Sequence, residues 1–231
     1  MIKKLIIYIL VFLLLLVVFV LLCHYISLNK KSSNIEILQG ETPDFNKIQT
    51  LINQNQPTIF RQVLYGWEPI IHIFDASLDD INYLVKNNPE FNQDLLMYLS
   101  DYSMFLSLGW EYKFSQKSIK IKDNNFILQR NYRQLFAQIM GTQRFYLIDP
   151  SQSKYIDKKL LDDKTIVSKV NFWNAKETAQ EPFNKIQYLE IILREGNILF
   201  IPKGWWYLKV VEEESLSMTA SNISVFSFFN F

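Results

Sequence analysis

The chain has 231 residues, of which 49% are hydrophobic and 20% are charged, and its formal net charge is +1. This length suits one compact domain of ordinary size. The near-neutral charge excludes the basic footprint of a nucleic-acid-binding protein, and the hydrophobic content excludes intrinsic disorder. The composition therefore predicts a folded protein that has no nucleic acid as a partner.

The first segment is a long apolar run near the N-terminus. Residues 5–23 are all hydrophobic, and Tyr25 and Ile26 extend the run. About 20 apolar residues are enough for a helix to cross the hydrocarbon core of a bilayer. The alternative is a cleaved signal peptide, whose apolar region is usually about 7–15 residues long and ends at a small-residue site. We predict that residues 1–28 are an uncleaved transmembrane anchor that contacts the lipid bilayer through residues 5–26.

The charges that flank the anchor give a weak preference for its orientation. Lys3 and Lys4 precede the apolar run, and Lys30 and Lys31 follow it. With the terminal amine counted, the positive-inside rule slightly favours an N-terminus on the inside. The sequence thus predicts a single-pass membrane protein and leaves the side occupied by the folded domain open. Cys23 is the only cysteine, so the rest of the chain forms no disulfide.

A polar tether with a short helix is predicted for residues 29–49, ahead of a folded domain over residues 50–231. Thr42 or Asp44 is suited to cap the helix, which is expected to end near Ile52. The domain then has a strand-like segment at residues 57–61. Helical spacing predicts two helices, over residues 78–87 and 91–102.

From residue 104 onward the sequence consists mainly of short segments that are apolar or alternate between apolar and polar residues. Turn residues separate several of these segments, a pattern that is typical of strands. These segments are residues 117–121, 126–128, 145–148, 186–193, 198–201, 205–211 and 215–229. An amphipathic stretch over residues 132–140 is predicted to interrupt the strand series. This order favours an all-β core, a sandwich or barrel, with a helical lead-in.

Three motifs sharpen this prediction. Gly196–Tyr207 reads GNILFIPKGWWY, in which Gly196, Pro202 and Gly204 have the spacing G-x5-P-x-G. Gln134–Pro150 reads QLFAQIMGTQRFYLIDP, and the segment from Gln56 to Trp67 has proline as its second residue and ends with glycine–tryptophan. Together they resemble the JmjC and cupin-like hydroxylases of the asparaginyl-hydroxylase type, over about residues 50–229. The resemblance implies a double-stranded β-helix, the jelly-roll barrel of the cupins.

The resemblance also implies a metal site, but the residues do not match it. The family is one of Fe(II)/2-oxoglutarate oxygenases that hold iron with an H-x-D pair and a later histidine. A gapless alignment places Leu128 and Arg130 at the H-x-D positions and Tyr207 at the later histidine. Gln143 stands where the family has the lysine that binds 2-oxoglutarate. We therefore expect no metal and no cofactor, with Leu128 buried inside the barrel.

The histidine content supports the same expectation. The chain has two histidines, His24 in the apolar run and His72 before the strand series, so two imidazoles cannot meet inside the barrel. Arg130 and Tyr207 are candidates for lining a residual pocket. Arg130 is expected to find an acidic partner, such as Glu212 or Glu213, a cluster of carbonyl groups or a bound anion. Trp205 and Trp206 are expected to pack the barrel and its outer face.

These observations favour a membrane-anchored, JmjC-like cupin pseudoenzyme that acts as a binding or scaffold module for an unidentified protein partner. The main alternative is a divergent hydroxylase or demethylase-like oxygenase that holds Fe(II) with unusual carboxylate or amide ligands and uses 2-oxoglutarate. A third hypothesis is that the domain binds a small ligand in the pocket that corresponds to the family's metal site. Fold alone does not decide between them, because one fold hosts many functions.

Overall fold

The chain forms two compact units, residues 1–31 and residues 32–231. The computed structural model describes residues 2–28, 37–41, 50–52, 54–62, 64, 107–117, 121–122, 124–131, 133–162, 165–178, 183–212 and 214–224. The helices predicted over residues 78–87 and 91–102 lie outside the described residues, as does His72. Residues 50–52, at the end of the predicted short helix, are helical.

The first unit is the helix α1 (Ile2–Leu28). Its window Lys4–Cys23 is long and apolar enough to cross a membrane, and none of that window is buried. A signal sequence near an N-terminus passes the same test. The structure thus contains one N-terminal apolar helix that is a candidate membrane span, as the sequence predicts.

The second unit is built mainly from short strands in two sheets. The strands are β1 (Leu38–Glu41), β2 (Thr58–Arg61), β3 (Ser107–Lys117), β4 (Ile121–Lys122), β5 (Ile127–Leu128), β6 (Arg133–Met140), β7 (Thr142–Ile148), β8 (Lys158–Leu160), β9 (Ile166–Ser168), β10 (Tyr188–Arg194), β11 (Ile198–Pro202), β12 (Trp206–Val211) and β13 (Ser215–Ser224). One sheet has the order β1-β2-β11-β6-β13-β3, and the other has the order β10-β7-β12-β5-β9-β8, with β4 paired to β12. Consecutive strands alternate between the sheets from β10 to β13. The predicted jelly-roll core is confirmed.

Two apolar clusters hold this unit together. The interior cluster contains side chains from both sheets and therefore lies between them: Phe136, Phe145, Leu147, Ile191, Leu193, Leu199, Ile201 and Trp205. The outer cluster lies on the other face of the second sheet and includes side chains of a short helix, α2 (Phe172–Thr178): Phe126, Tyr146, Ile148, Ile156, Phe172, Ala175, Ile186, Trp206 and Leu208. The strands β7 and β12 contribute alternate residues to the two clusters, as strand geometry requires.

The structure corrects the prediction for residues 132–140. Arg133–Met140 is the strand β6, in the middle of its sheet, and does not interrupt the strand series. Its residues from Arg133 to Ile139 are buried. Because both faces of this strand are covered, polar and apolar residues do not alternate along it. Its buried glutamines, Gln134 and Gln138, are four residues apart, which is also the spacing of a polar face on a helix.

The helix α2 was not predicted from the sequence. It begins after Asn171, whose side-chain Oδ1 accepts hydrogen bonds from the backbone N–H of Trp173, at 3.0 Å, and of Asn174, at 3.4 Å. An asparagine that satisfies free N–H groups in this way is a common helix start signal. Asn171 is therefore the signal by which this helix can be found in the sequence.

Candidate functional site

Trp205 and the first residue of β12, Trp206, show which side chains point into the barrel. Trp205 belongs to the interior cluster, whereas Trp206 belongs to the outer cluster and donates its Nε1–H to Ser153 Oγ at 2.8 Å. Tyr207 points inward again, with its ring centroid 5.3 Å from that of Phe136. The prediction that both tryptophans are packing residues on opposite faces is confirmed.

The neighbouring strand β5 shows which residues share the inner face with Tyr207. Ile127 lies opposite Tyr207, and Leu128 lies opposite Trp206. Residues directly opposite each other on antiparallel strands point to the same face. Ile127 therefore faces inward, and Leu128 is a half-buried member of the outer cluster. The expectation that Leu128 is buried inside the barrel is wrong, because Leu128 is half-buried and packs against the outer cluster, opposite Trp206.

Gln129 continues the pairing of β5 beyond its last strand residue. Its backbone N–H donates to the carbonyl of Trp205 at 2.8 Å, and its own carbonyl accepts from the N–H of Gly204 at 2.8 Å. Gln129 is 2% exposed, and its buried Nε2 has no hydrogen-bond partner among the residues that the structure describes. Gln129 follows Ile127 by two residues, which is the spacing of an H-x-D pair.

Arg130 is half-buried and lies near another cation. Burial lowers the pKa of Lys203, and the positive charge of Arg130 lowers it further. Glu212, one of the candidate partners for Arg130, pairs with Arg144, with Arg144 Nε 2.9 Å from Glu212 Oε1. Arg130 thus contributes positive charge beside the Gly204 turn.

The lowered pKa gives a pH prediction: Lys203→Gln is expected to raise the melting temperature at pH 7. A lysine with a lower pKa in the folded state than in the unfolded state binds fewer protons when folded, so stability rises with pH while the lysine deprotonates. The advantage of the variant should therefore shrink toward a pH of about 10.4, where an ordinary lysine loses its proton. Thermal unfolding of the full chain at both pH values measures this difference. The exposed Lys158→Gln is the matched control, and an equal gain in both variants would contradict the assignment.

Gln143 and its neighbours form a neutral polar group inside the barrel. Gln143 is fully buried, and its Nε2 donates to Ser217 Oγ at 2.9 Å and to Ser215 Oγ at 3.3 Å. Gln138 lies opposite Ser217, is also fully buried, and donates its Nε2 to the carbonyl of Met140 at 2.7 Å. The Oε1 atoms of both glutamines are buried, and within the described part of the chain neither has a hydrogen-bond partner. These amides and hydroxyls offer hydrogen bonds but no charge.

Arg144 points away from this group, because successive residues of a strand point to opposite faces. It forms ion pairs with Glu212 and with Glu190, and both hydrogen bonds raise the pKa of the Arg144 guanidinium. All three side chains are partly exposed to solvent. The guanidinium of Arg144 therefore adds no positive charge to the polar group around Gln143.

The inward side chains do not fit an Fe(II) centre. Fe(II) sites of this class need imidazole and carboxylate donors with open positions. Ile127 offers no donor, Gln129 offers a neutral amide, and Tyr207 offers a phenol. In the part of the chain that the structure describes, no three histidine, cysteine, aspartate or glutamate side chains are grouped to hold a metal ion.

Residues 122–230 match the family model described as the cupin-like domain. This part of the chain is a cupin-like domain of the JmjC type. The match includes Gln129, Gln143 and Tyr207, and the family predicted from the three motifs is confirmed. The cupin-like domain is thus related to oxygenases and demethylases, and its own chemistry depends on the residues described above.

Two curated relatives illustrate this relationship. Arginine-specific demethylase JMJ20 of Arabidopsis thaliana is 23% identical over 230 residues, which are 88% of this chain and 47% of that protein. HSPB1-associated protein 1 of Homo sapiens is 25% identical over 89 residues, which are 37% of this chain and 18% of that protein. The chain therefore spans about half or less of the length of these relatives.

Among solved structures, a hydroquinone 1,2-dioxygenase from Sphingomonas sp. TTNP3 with bound 4-hydroxybenzoate is similar over 52% of this chain and 67% of its own. The TM-score is 0.32 and the sequence identity is 13%. This similarity is too low to support any statement about function, and the fold assignment stands on the strand order and the family match.

Proposed function

We propose that this protein is a membrane-anchored cupin-like module that binds a protein partner and does not oxidise substrates with Fe(II) and 2-oxoglutarate. The observation that carries the proposal is the set of inward residues Ile127, Gln129 and Tyr207. We propose that these three residues occupy the positions of the family's H-x-D pair and later histidine. An alkyl group, an amide and a phenol replace two imidazoles and a carboxylate.

The position of the cosubstrate lysine supports the same proposal. A carboxylate inside a barrel requires a charged or strongly hydrogen-bonding partner to offset its loss of hydration. Gln143 carries no charge, and its amide N–H groups already donate to Ser215 and Ser217. The buried hydroxyls and amides are suited to water or a small neutral ligand rather than to a dicarboxylate.

The proposed organisation has three parts: an anchor over residues 1–28, a polar tether over residues 29–49, and the cupin-like domain over residues 50–231. The helix α1 supports a bilayer as the first partner. The name of the human relative describes an association with another protein, which supports a protein as the second. A single-pass topology with the N-terminus inside remains part of this proposal.

The proposal predicts that the full chain, reconstituted in lipid nanodiscs, produces no succinate from 2-oxoglutarate in the presence of Fe(II). Turnover of 2-oxoglutarate requires a bound metal with open coordination positions and a bound cosubstrate. The inward residues provide neither the metal ligands nor a cation for the cosubstrate. Succinate is measured by mass spectrometry, with and without chelator. Production that depends on iron and disappears with chelator would instead support the demethylase-like alternative suggested by the Arabidopsis relative.

A pair of variants tests the proposed positions themselves. Ile127→His/Gln129→Asp/Tyr207→His places two imidazoles and a carboxylate on the inward face, so this variant is expected to gain Fe(II) affinity over the parent chain. The matched control Leu128→His/Arg130→Asp/Tyr207→His follows the gapless alignment and leaves the first two side chains off that face. Fe(II) titration measures affinity, and circular dichroism checks that both variants fold. Stronger Fe(II) binding by the control variant would contradict the inward positions of Ile127 and Gln129.

A further inference from the structure

Two adjacent leucines are the most exposed large apolar side chains outside α1 in the described residues. Leu160 is 69% exposed and Leu161 is 66% exposed, and Ile192 follows with 45%. The leucines lie at the end of β8, where the chain turns into β9. Ile192 lies on β10, at the opposite edge of the same sheet. Exposed apolar groups in one place indicate a contact that the isolated chain does not make.

The β8–β9 hairpin presents the two leucines on opposite sides. Leu160 pairs with Ile166 across the hairpin, and the backbone N–H of Leu161 donates to the carbonyl of Thr165 at 2.9 Å. Successive residues of a strand point to opposite faces. A flat protein surface can cover only one face of the hairpin. Lipid chains that surround an inserted tip cover both faces at once.

Two lysines, Lys158 and Lys159, lie on β8 directly before the two leucines. Among the described residues of this stretch, Lys154, Lys158, Lys159 and Lys169 are exposed, as are Asp157 and Asp162. Lys169 lies at the base of the hairpin, where its backbone N–H donates to the carbonyl of Asp157 at 2.8 Å. Asp162 is engaged in the turn, because its Oδ1 accepts from the backbone N–H of Thr165 at 2.6 Å. Clusters of lysine next to inserted apolar side chains are attracted to anionic lipid headgroups.

We propose that the tip of the β8–β9 hairpin docks into an anionic membrane surface. Leu160 and Leu161 enter the boundary between headgroups and acyl chains, and Lys158 and Lys159 lie among the lipid phosphates. The proposal rests on the proposed anchoring by α1, which keeps the hairpin at a bilayer and so raises the effective concentration of lipid for a second contact. The two contacts together would hold the cupin-like domain against the membrane.

Because Cys23 is the only cysteine, single fluorescent labels can test the anchor and the hairpin separately. An NBD label on Cys23 of the parent chain reports on α1. In a Cys23→Ser background, labels at Leu161→Cys and Ile192→Cys compare the hairpin tip with the opposite edge of the sheet. Each full-length protein is reconstituted in vesicles of phosphatidylcholine and phosphatidylserine, with and without doxyl-labelled lipid.

Docking predicts a blue-shifted emission and loss of intensity with doxyl lipid for the labels at positions 23 and 161, and neither change at position 192. Adding Lys158→Gln/Lys159→Gln should reduce the quenching at position 161 and leave that at position 23 unchanged. Quenching at position 23 alone would overturn the docking and leave the anchor intact. No quenching at position 23 would overturn the anchor itself. Protection of position 161 from iodide without quenching by lipid would identify a protein contact, such as a second copy, and would also overturn the docking.

Discussion

Replacing Trp206 with alanine is expected to lower the free energy of unfolding by about 3–5 kcal/mol, the range for removal of a fully buried large aromatic side chain. The Trp206 side chain is fully buried in the outer cluster. The change also leaves Ser153 Oγ without the indole N–H that it accepts. Urea unfolding of the full chain in detergent, followed by circular dichroism, measures the loss.

Leu128→Ala is the matched control, because Leu128 lies opposite Trp206 on β5 and belongs to the edge of the same cluster. Leu128 is half-buried, so its truncation is expected to cost about 1–2 kcal/mol, less than the usual range for a core leucine. A larger loss for Leu128→Ala than for Trp206→Ala would contradict the outer position of Leu128. It would place this side chain in the interior, as the gapless alignment expects.

The fold was predictable because its signals are local. The motif from Gly196 to Tyr207 contains the turn residues and the alternation of β11 and β12, and the long apolar run predicts α1. These features depend on neighbouring residues, which a single sequence displays directly. The strand β6 was missed because burial on both faces removes the alternation that identifies a strand.

The register of β5 was not predictable from the same signals. Ile127 and Leu128 are both aliphatic, so their side chains give no indication of which one faces inward. The face is set by pairing with Tyr207 and Trp206, about 80 residues later in the chain, and a shift by one residue moves every side chain to the other face. The polar neighbours of Gln143 come from β13, which is similarly distant in sequence.

Replacing Gly141 with alanine is expected to lower the free energy of unfolding by about 3 kcal/mol, because backbone strain and a steric clash act together. Gly141 joins β6 to β7, where the chain passes from one sheet to the other, and its φ is +74°. A Cβ atom there would lie 2.3 Å from the carbonyl oxygen of Glu214 and 3.2 Å from the Cα of Ser215. These are backbone atoms at the start of β13, so relief of the clash requires movement of the strand that binds Gln143.

Gly204→Ala separates the two causes. Gly204 also has a positive φ, +89°, but its added Cβ would meet only the Pro150 ring, at an ordinary distance of 3.5 Å. Backbone strain alone predicts a loss of about 1–2 kcal/mol for this control. Urea unfolding of both full-length variants compares them directly. Equal losses would show that the Glu214 carbonyl moves aside freely, and that Gly141 is required for its φ rather than for the close approach of β13.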